Sequence, residues 1–197
     1  MNRYLYILTI SFSLFCSSVF AQTIEFDMFA FGGKIGTMVI TRIVERDGSE
    51  YYTLESKTKA KVLWIDKVGY TKYDVRFKDG KLITSSHVEK ENGIIKRWTK
   101  VSFDGKKYDV DSYKGKSTFT TPPTYCVLSL YFKDFKNRKQ IFYEAEGDFS
   151  TVSYPTENAI SFKSSDGNKN TYFFENGAIK GMEFQVSIAT VKAIRTK

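Results

Sequence analysis

Six Asn-Gly or Asp-Gly pairs punctuate this chain: Asp47-Gly48, Asp79-Gly80, Asn92-Gly93, Asp104-Gly105, Asp166-Gly167 and Asn176-Gly177. Such pairs supply the positive φ angles that tight hairpin turns demand, so the segments between them are predicted to be strands of antiparallel hairpins. The alternation of side chains agrees. In residues 51–64 the even positions are Tyr52, Leu54, Ser56, Thr58, Ala60, Val62 and Trp64, and the odd ones include Glu55, Lys57, Lys59 and Lys61. That period of two describes a strand with one buried and one charged face. Tyr73, Val75 and Phe77 then oppose Lys72, Asp74 and Arg76, and Ile95, Thr99, Val101 and Phe103 oppose Lys96, Lys100 and Ser102. Thr84 and Ser86 join Ser56, Thr58 and Ala60 as small residues expected on the inner face.

Two stretches depart from this pattern. Residues 35–44 are apolar on both faces apart from Arg42, which predicts a strand covered on both sides. Thr121-Pro122-Pro123 marks a break, and Val127, Leu128, Tyr131 and Phe132 then fall at helical spacing, predicting a short helix near residues 124–135. The fold class expected is mainly β: a single antiparallel meander of about a dozen strands curling into a barrel or half-barrel, because open sheets of that size rarely stay flat.

The N-terminus reads as a cleavable secretory signal over residues 1–21. Arg3 supplies the positive charge, residues 4–15 are uncharged and mostly apolar, and Val19 and Ala21 occupy the −3 and −1 positions of a peptidase site. The apolar run is shorter than the roughly twenty residues needed to span a bilayer. Residues 22–197 are then one β domain, placed in the periplasm or on the outer envelope, with no transmembrane span expected after cleavage. Losing Arg3 lowers the formal charge from +8 to +7. In an exported chain such a charge points to anionic lipid headgroups, lipopolysaccharide or polysaccharide rather than nucleic acid, or simply to a solvated lysine-rich surface. Cleavage also removes Cys16, leaving Cys126 without a disulfide partner within the chain. With His87 the sole histidine, no metal or cofactor site is predicted.

No constellation dictates a reaction. Glu144, Glu146 and Asp148, like Asp109 and Asp111, have the spacing of a solvated strand face; a glycosidase would need two such carboxylates to converge. Gly32-Gly33-Lys34-Ile35-Gly36 lacks the spacing of a phosphate loop and reads as a turn. The sharpest surface feature is Lys96-Arg97-Trp98-Thr99-Lys100, where Lys96, Trp98 and Lys100 share a face at strand spacing. A ring flanked by cations could rest on a sugar or a lipid headgroup.

The strand text Tyr51-Tyr52-Thr53-Leu54-Glu55-Ser56, Arg76-Phe77-Lys78-Asp79-Gly80-Lys81-Leu82 and Asn170-Thr171-Tyr172-Phe173-Phe174-Glu175-Asn176-Gly177 resembles an uncharacterised family of exported Gram-negative envelope proteins known only as a domain of unknown function. The resemblance implies a curved, barrel-like antiparallel domain and transfers no catalytic residue or ligand. Two functions are compatible with it. One is a protein that holds a lipid or other apolar molecule inside the barrel, lined by Tyr52, Leu54, Tyr73, Val75 and Phe77. The other is an interaction module that docks on a partner, polysaccharide or anionic membrane through Lys96, Trp98 and Lys100. An enzyme ranks third. N-terminal sequencing of the exported protein is expected to begin at Gln22; any other start moves the boundary of the signal.

Overall fold

Turn chemistry and alternation produce fifteen strands among the described residues, which in this computed structural model are 19–62, 64–134, 136–186 and 189–197. Most of the predicted signal therefore lies outside the described residues. The strands are β1 (Phe20–Ala30), β2 (Gly33–Val44), β3 (Glu50–Val62), β4 (Ile65–Lys78), β5 (Lys81–Glu91), β6 (Ile94–Phe103), β7 (Tyr108–Ser112) and β8 (Gly115–Phe119), followed by β9 (Gln140–Tyr143) and β10 (Asp148–Thr151). The last five are β11 (Ser153–Thr156), β12 (Ala159–Lys163), β13 (Lys169–Glu175), β14 (Ala178–Val186) and β15 (Ala189–Arg195).

Thirteen of them form one antiparallel sheet in the order β11-β12-β13-β14-β15-β1-β2-β3-β4-β5-β6-β7-β8, and β9 pairs with β10 alone. The expected meander is present, with one long return that brings β15 beside β1. The sheet coils tightly enough to need glycine at Gly36, where a Cβ would stand 1.9 Å from the Lys57 carbonyl oxygen on β3. In place of the predicted helix, Val127–Tyr131 form a single 3-10 turn, fully buried.

That turn and the β9–β10 hairpin fill the inside of the coil. Tyr131 meets Phe26 of β1 edge-to-face, and its hydroxyl donates to the Met182 sulfur of β14 at 3.2 Å. Phe142 and Phe149 of the hairpin pack on Phe119 of β8, while Tyr143 meets Phe162 of β12. Gly147, with φ of +66°, lets the hairpin turn press against Val110, Thr99 and Val101; a Cβ there would lie 2.7 Å from the Val110 side chain. The hairpin thus touches both flanks of the open sheet. Cys126 is bridged to Phe142, and the Phe142 N–H donates to the Tyr125 carbonyl at 3.2 Å.

Glu144, fully buried, locks these two pieces together. Its carboxylate accepts the N–H of Val127 at 3.1 Å and of Leu128 at 3.0 Å, two donors that the start of the 3-10 turn would otherwise leave unpaired. Burial raises its pKa, partly offset by those hydrogen bonds. Glu144, Glu146 and Asp148 therefore do not form the solvated strand face expected, because residues 144–147 are a turn and only Asp148 begins a strand.

Four other expectations need correction. The stretch 35–44 is not covered on both sides: Met38 and Ile40 are buried, but Val39 is exposed on the outer face. Thr84 and Ser86 are not inner residues. Arg76 faces Thr84 whereas Phe77 faces Leu82, so Ile83 is an extra residue that reverses the alternation and turns Ser85 and His87 inward. A second bulge leaves Lys96 as the extra residue between Ile95 and Arg97, which takes Ile95 out of phase with Thr99 and Val101. Trp64 does not continue the inner face of β3 but stands at the apex of the β3–β4 turn, 89% exposed.

Removing the Glu144 carboxylate leaves two buried N–H groups without an acceptor, each worth roughly 1–3 kcal/mol. Glu144→Ala is expected to destabilise the fold by about 3 kcal/mol in urea unfolding, and a loss below about 1 kcal/mol would show that the lock is not needed.

Candidate functional site

The five side chains expected to line an internal ligand site are brought together by β3 and β4, whose register pairs Tyr52 with Val75, Leu54 with Tyr73 and Glu50 with Phe77. They form packed core. Tyr52, Leu54, Val75 and Phe77 are buried, and Tyr52 meets both Phe77 and Phe132 ring to ring. Tyr73 is half-buried and lies against His87, with ring centroids 4.5 Å apart.

At the rim beyond Tyr52 the half-buried Glu50 gathers a polar network. It accepts the Tyr52 hydroxyl, the Lys133 ammonium at 2.9–3.0 Å and the Arg42 guanidinium at 3.3 Å. Burial raises the Glu50 carboxyl, but the bonds from Tyr52 and Lys133 outweigh it and hold the group below its ordinary value. The network ties the segment after the 3-10 turn to the start of β3.

Other groups with chemical potential, inside and at the surface, are each committed to the fold. Cys126 is fully buried beside the Ser129 hydroxyl, and burial with the nearby Glu144 charge keeps the thiol neutral by raising its pKa well above the usual range. Thr99 donates to the Ala145 carbonyl at 2.7 Å. Glu146 accepts the Ser165 N–H and hydroxyl, and Asp109 pairs with Lys107. No two of the carboxylates singled out from the sequence share a cleft in these contacts. Among the described residues no group of three metal-ligating side chains is found.

An open hollow lies on the outside. A trough of about 460 Å³ runs over the outer face of β2–β4 between Thr37, Val39, Thr53, Glu55, Lys57 and Lys72. Its charges are internally balanced by Lys57–Glu55 and Lys72–Asp74 ion pairs at 2.8 and 3.0 Å. Beside it, the register carries the outer face from Lys72 through Val88 to Trp98 and from Asp74 through Ser86 to Lys100. Trp98 is half-buried there; Lys96 and Lys100 are exposed. The basic outer surface anticipated from the sequence therefore exists, with Lys96 displaced by the bulge from strict strand spacing. Residues 57–72 and 88–100 carry nine basic residues against three acidic ones, a net of +6 out of +8 for the whole chain. Among the described residues, no acidic side chain forms an ion pair with Lys59, Lys61, Lys96 or Lys100.

A family model described as a domain of unknown function, DUF6134, matches residues 26–196. The chain belongs to the DUF6134 family. No curated protein matches this DUF6134 chain. Among solved structures it is similar to a beta-barrel-like protein of domain of unknown function DUF1849 from Brucella abortus, at 12% identity and a TM-score of 0.57 over 89% of this chain and 95% of that one. At that identity the likeness concerns the fold, a barrel-like antiparallel sheet.

His87, turned inward by the β5 bulge, gives this DUF6134 chain a pH signature. Burial, with a smaller contribution from the Arg97 guanidinium, lowers its pKa from 6.5 to about 4, and its Nδ1 has no hydrogen-bond partner among the described residues. A lowered folded-state pKa stabilises above the unfolded value and loses that contribution as pH falls toward the folded one. The stability of wild type relative to His87→Gln is therefore expected to drop by about 3 kcal/mol between pH 7.5 and pH 4, measured by denaturant unfolding at each pH. A constant difference would mean that the imidazole charges without cost.

Proposed function

We propose that this DUF6134 protein is an exported docking module that works from its outer surface, binding an anionic envelope surface through the basic face of β3–β6. The observation that carries this reading is the division between inside and outside. The residues that would have to line an internal ligand are packed against one another and against the 3-10 turn, whereas the unpaired lysines and the open trough face outward. A protein built to enclose an apolar molecule keeps its hollow inside and its hydrophobic side chains around it. Here the coil is occupied by its own β9–β10 hairpin.

The signal read in residues 1–21 supplies the second support, since it would place a strongly basic domain where anionic headgroups and polysaccharides are exposed. Trp98 between Lys96 and Lys100 offers a flat apolar ring with charges beside it, suited to a sugar or to a headgroup region.

Purified mature protein is expected to sediment with isolated envelope fractions at low ionic strength and to be released near 1 M salt, where the Debye length falls to about 3 Å. A Trp98→Ala, Lys100→Ala variant is expected to bind about tenfold more weakly, roughly the effect of losing one cation and one ring contact. Equal binding by variant and wild type, or binding indifferent to salt, would overturn the reading.

A further inference from the structure

At the end of the molecule where β3 turns into β4, the sheet stops before the hairpin does. β2 pairs with β3 only as far as Thr58, and β5 pairs with β4 only from Gly69, so residues 59–62 and 65–68 extend past both neighbours as a two-stranded finger. Its apex, like the β1–β2 turn with Phe31 at φ of +52°, departs from the Asx-Gly chemistry of other turns. Asp79-Gly80, Asn92-Gly93 and Asn176-Gly177 place small polar residues and glycine in the left-handed region, whereas here Trp64 takes φ of +73°. A tryptophan in that region is held at a conformational cost, and among the described residues its ring stays 89% exposed.

The finger has a companion. The Asn92 N–H donates to the Val68 carbonyl and the Val68 N–H to Asn92 Oδ1, both at 2.8 Å, and Asn92 Nδ2 donates to the Asp66 carbonyl at 3.3 Å. These bonds fix the β5–β6 turn against the base of the finger, where Ile94 and Ile95 follow it at the level of Gly69 and Tyr70; at the tip Ile65 is 59% exposed. Behind this apolar tip stands a collar of cations: Lys59 and Lys61 on β3, Lys67 on β4, Lys90 on β5 and Lys96 on β6. Lys67 pairs with Glu91 at 2.7 Å and Lys90 lies over the Tyr70 ring, while Lys59, Lys61 and Lys96 form no ion pair among the described residues, with Asp66 opposite Lys61 in register and Glu91 within reach of the Lys96 charge.

We infer that the molecule docks on anionic lipid bilayers tip first, with Trp64 and Ile65 of the β3–β4 finger entering the headgroup–acyl boundary while the lysine collar meets the lipid phosphates. This inference rests on the outward-docking reading above and gives it an occupant and a direction. The bilayer is the partner that fits both halves of the tip. Tryptophan is favoured at the depth where an apolar ring meets polar headgroups, and lysines a few ångströms behind it reach the phosphates. A protein partner would need a broad complementary patch of about 800 Å² on each side, and a narrow spike does not present one.

The chain has two tryptophans, which makes the test direct. In a Trp98→Phe variant, Trp64 is the sole indole. With vesicles of phosphatidylglycerol and phosphatidylcholine its emission is expected to shift to the blue and to be quenched by lipids brominated near the headgroup end of the acyl chain. Pure phosphatidylcholine vesicles should produce little of either effect. The complementary Trp64→Phe variant, reporting from the half-buried Trp98 on the outer sheet face, should show weaker quenching than Trp64 does. A Trp64→Ser, Ile65→Ser variant, altered only at exposed positions and checked for an unchanged melting temperature, is expected to lose at least tenfold in binding to the anionic vesicles. Unquenched Trp64 on bound vesicles, or double-variant binding within twofold of wild type, would overturn tip insertion. Either result, if Trp98 and Lys100 still governed salt-sensitive binding to envelope fractions, would leave the broader docking reading standing. So would capture by polysaccharide or by a protein without vesicle binding.

Discussion

The contact on which this structure depends is between the Glu144 carboxylate and the N–H groups of Val127 and Leu128. A coiled sheet of thirteen strands encloses more space than its own inward side chains can fill at native packing density. The 3-10 turn and the β9–β10 hairpin fill it, and each is too short to hold its conformation alone. A fully buried carboxyl group is tolerated there because it satisfies two orphan donors at once. Around that point the aromatic contacts of Phe142 and Phe149 reach β8 on one flank of the sheet, and those of Tyr143 and Tyr131 reach β12 and β13 on the other.

The same plug explains how an open sheet behaves as a barrel. Hydrogen bonds do not join β8 to β11; the gap is spanned by the hairpin inside and by side chains at its rim. Arg97 of β6 bonds Asp166 at 2.9 Å, and Lys114 reaches the Ser165 hydroxyl, which itself donates to Glu146. The free edges are short and unattractive for pairing: β11 carries Pro155, which has no N–H to offer, and β8 opens with Gly115-Lys116. With the inside occupied and the edges blunted, the accessible chemistry of the molecule is concentrated on the outer face and the finger.

Much of the fold was legible in the sequence because its signals are local. The Asx-Gly pairs mark hairpin turns, and the phase of Tyr52, Leu54, Val75 and Phe77 identifies the inner face correctly up to the first irregularity. The irregularities were not legible. A β-bulge adds one residue and reverses inside and outside without changing composition, so Thr84 and Ser86 exchange places with Ser85 and His87, and Ile95 leaves the inner phase. Glu144 illustrates a second limit. Its spacing from Glu146 and Asp148 suggests a strand, whereas its role is set by donors seventeen and sixteen residues away. For the outer surface, the cationic and aromatic character of Lys96, Trp98 and Lys100 was readable. The finger was not, because Trp64 continues the alternation of β3 and only the shorter neighbouring strands leave it uncovered.

The pairing of β1 with β15 bears on how the molecule reaches its native state. Phe26 faces Arg195 and Met28 faces Ala193, so a strand in the middle of the sheet has as neighbours the second strand in the chain and the fifteenth. The hairpins on either side can form from contacts between near neighbours in sequence, but joining the two halves requires closing a loop that contains almost all of them. Folding should therefore be slow and late to commit, with two partly built sheets waiting on a single seam.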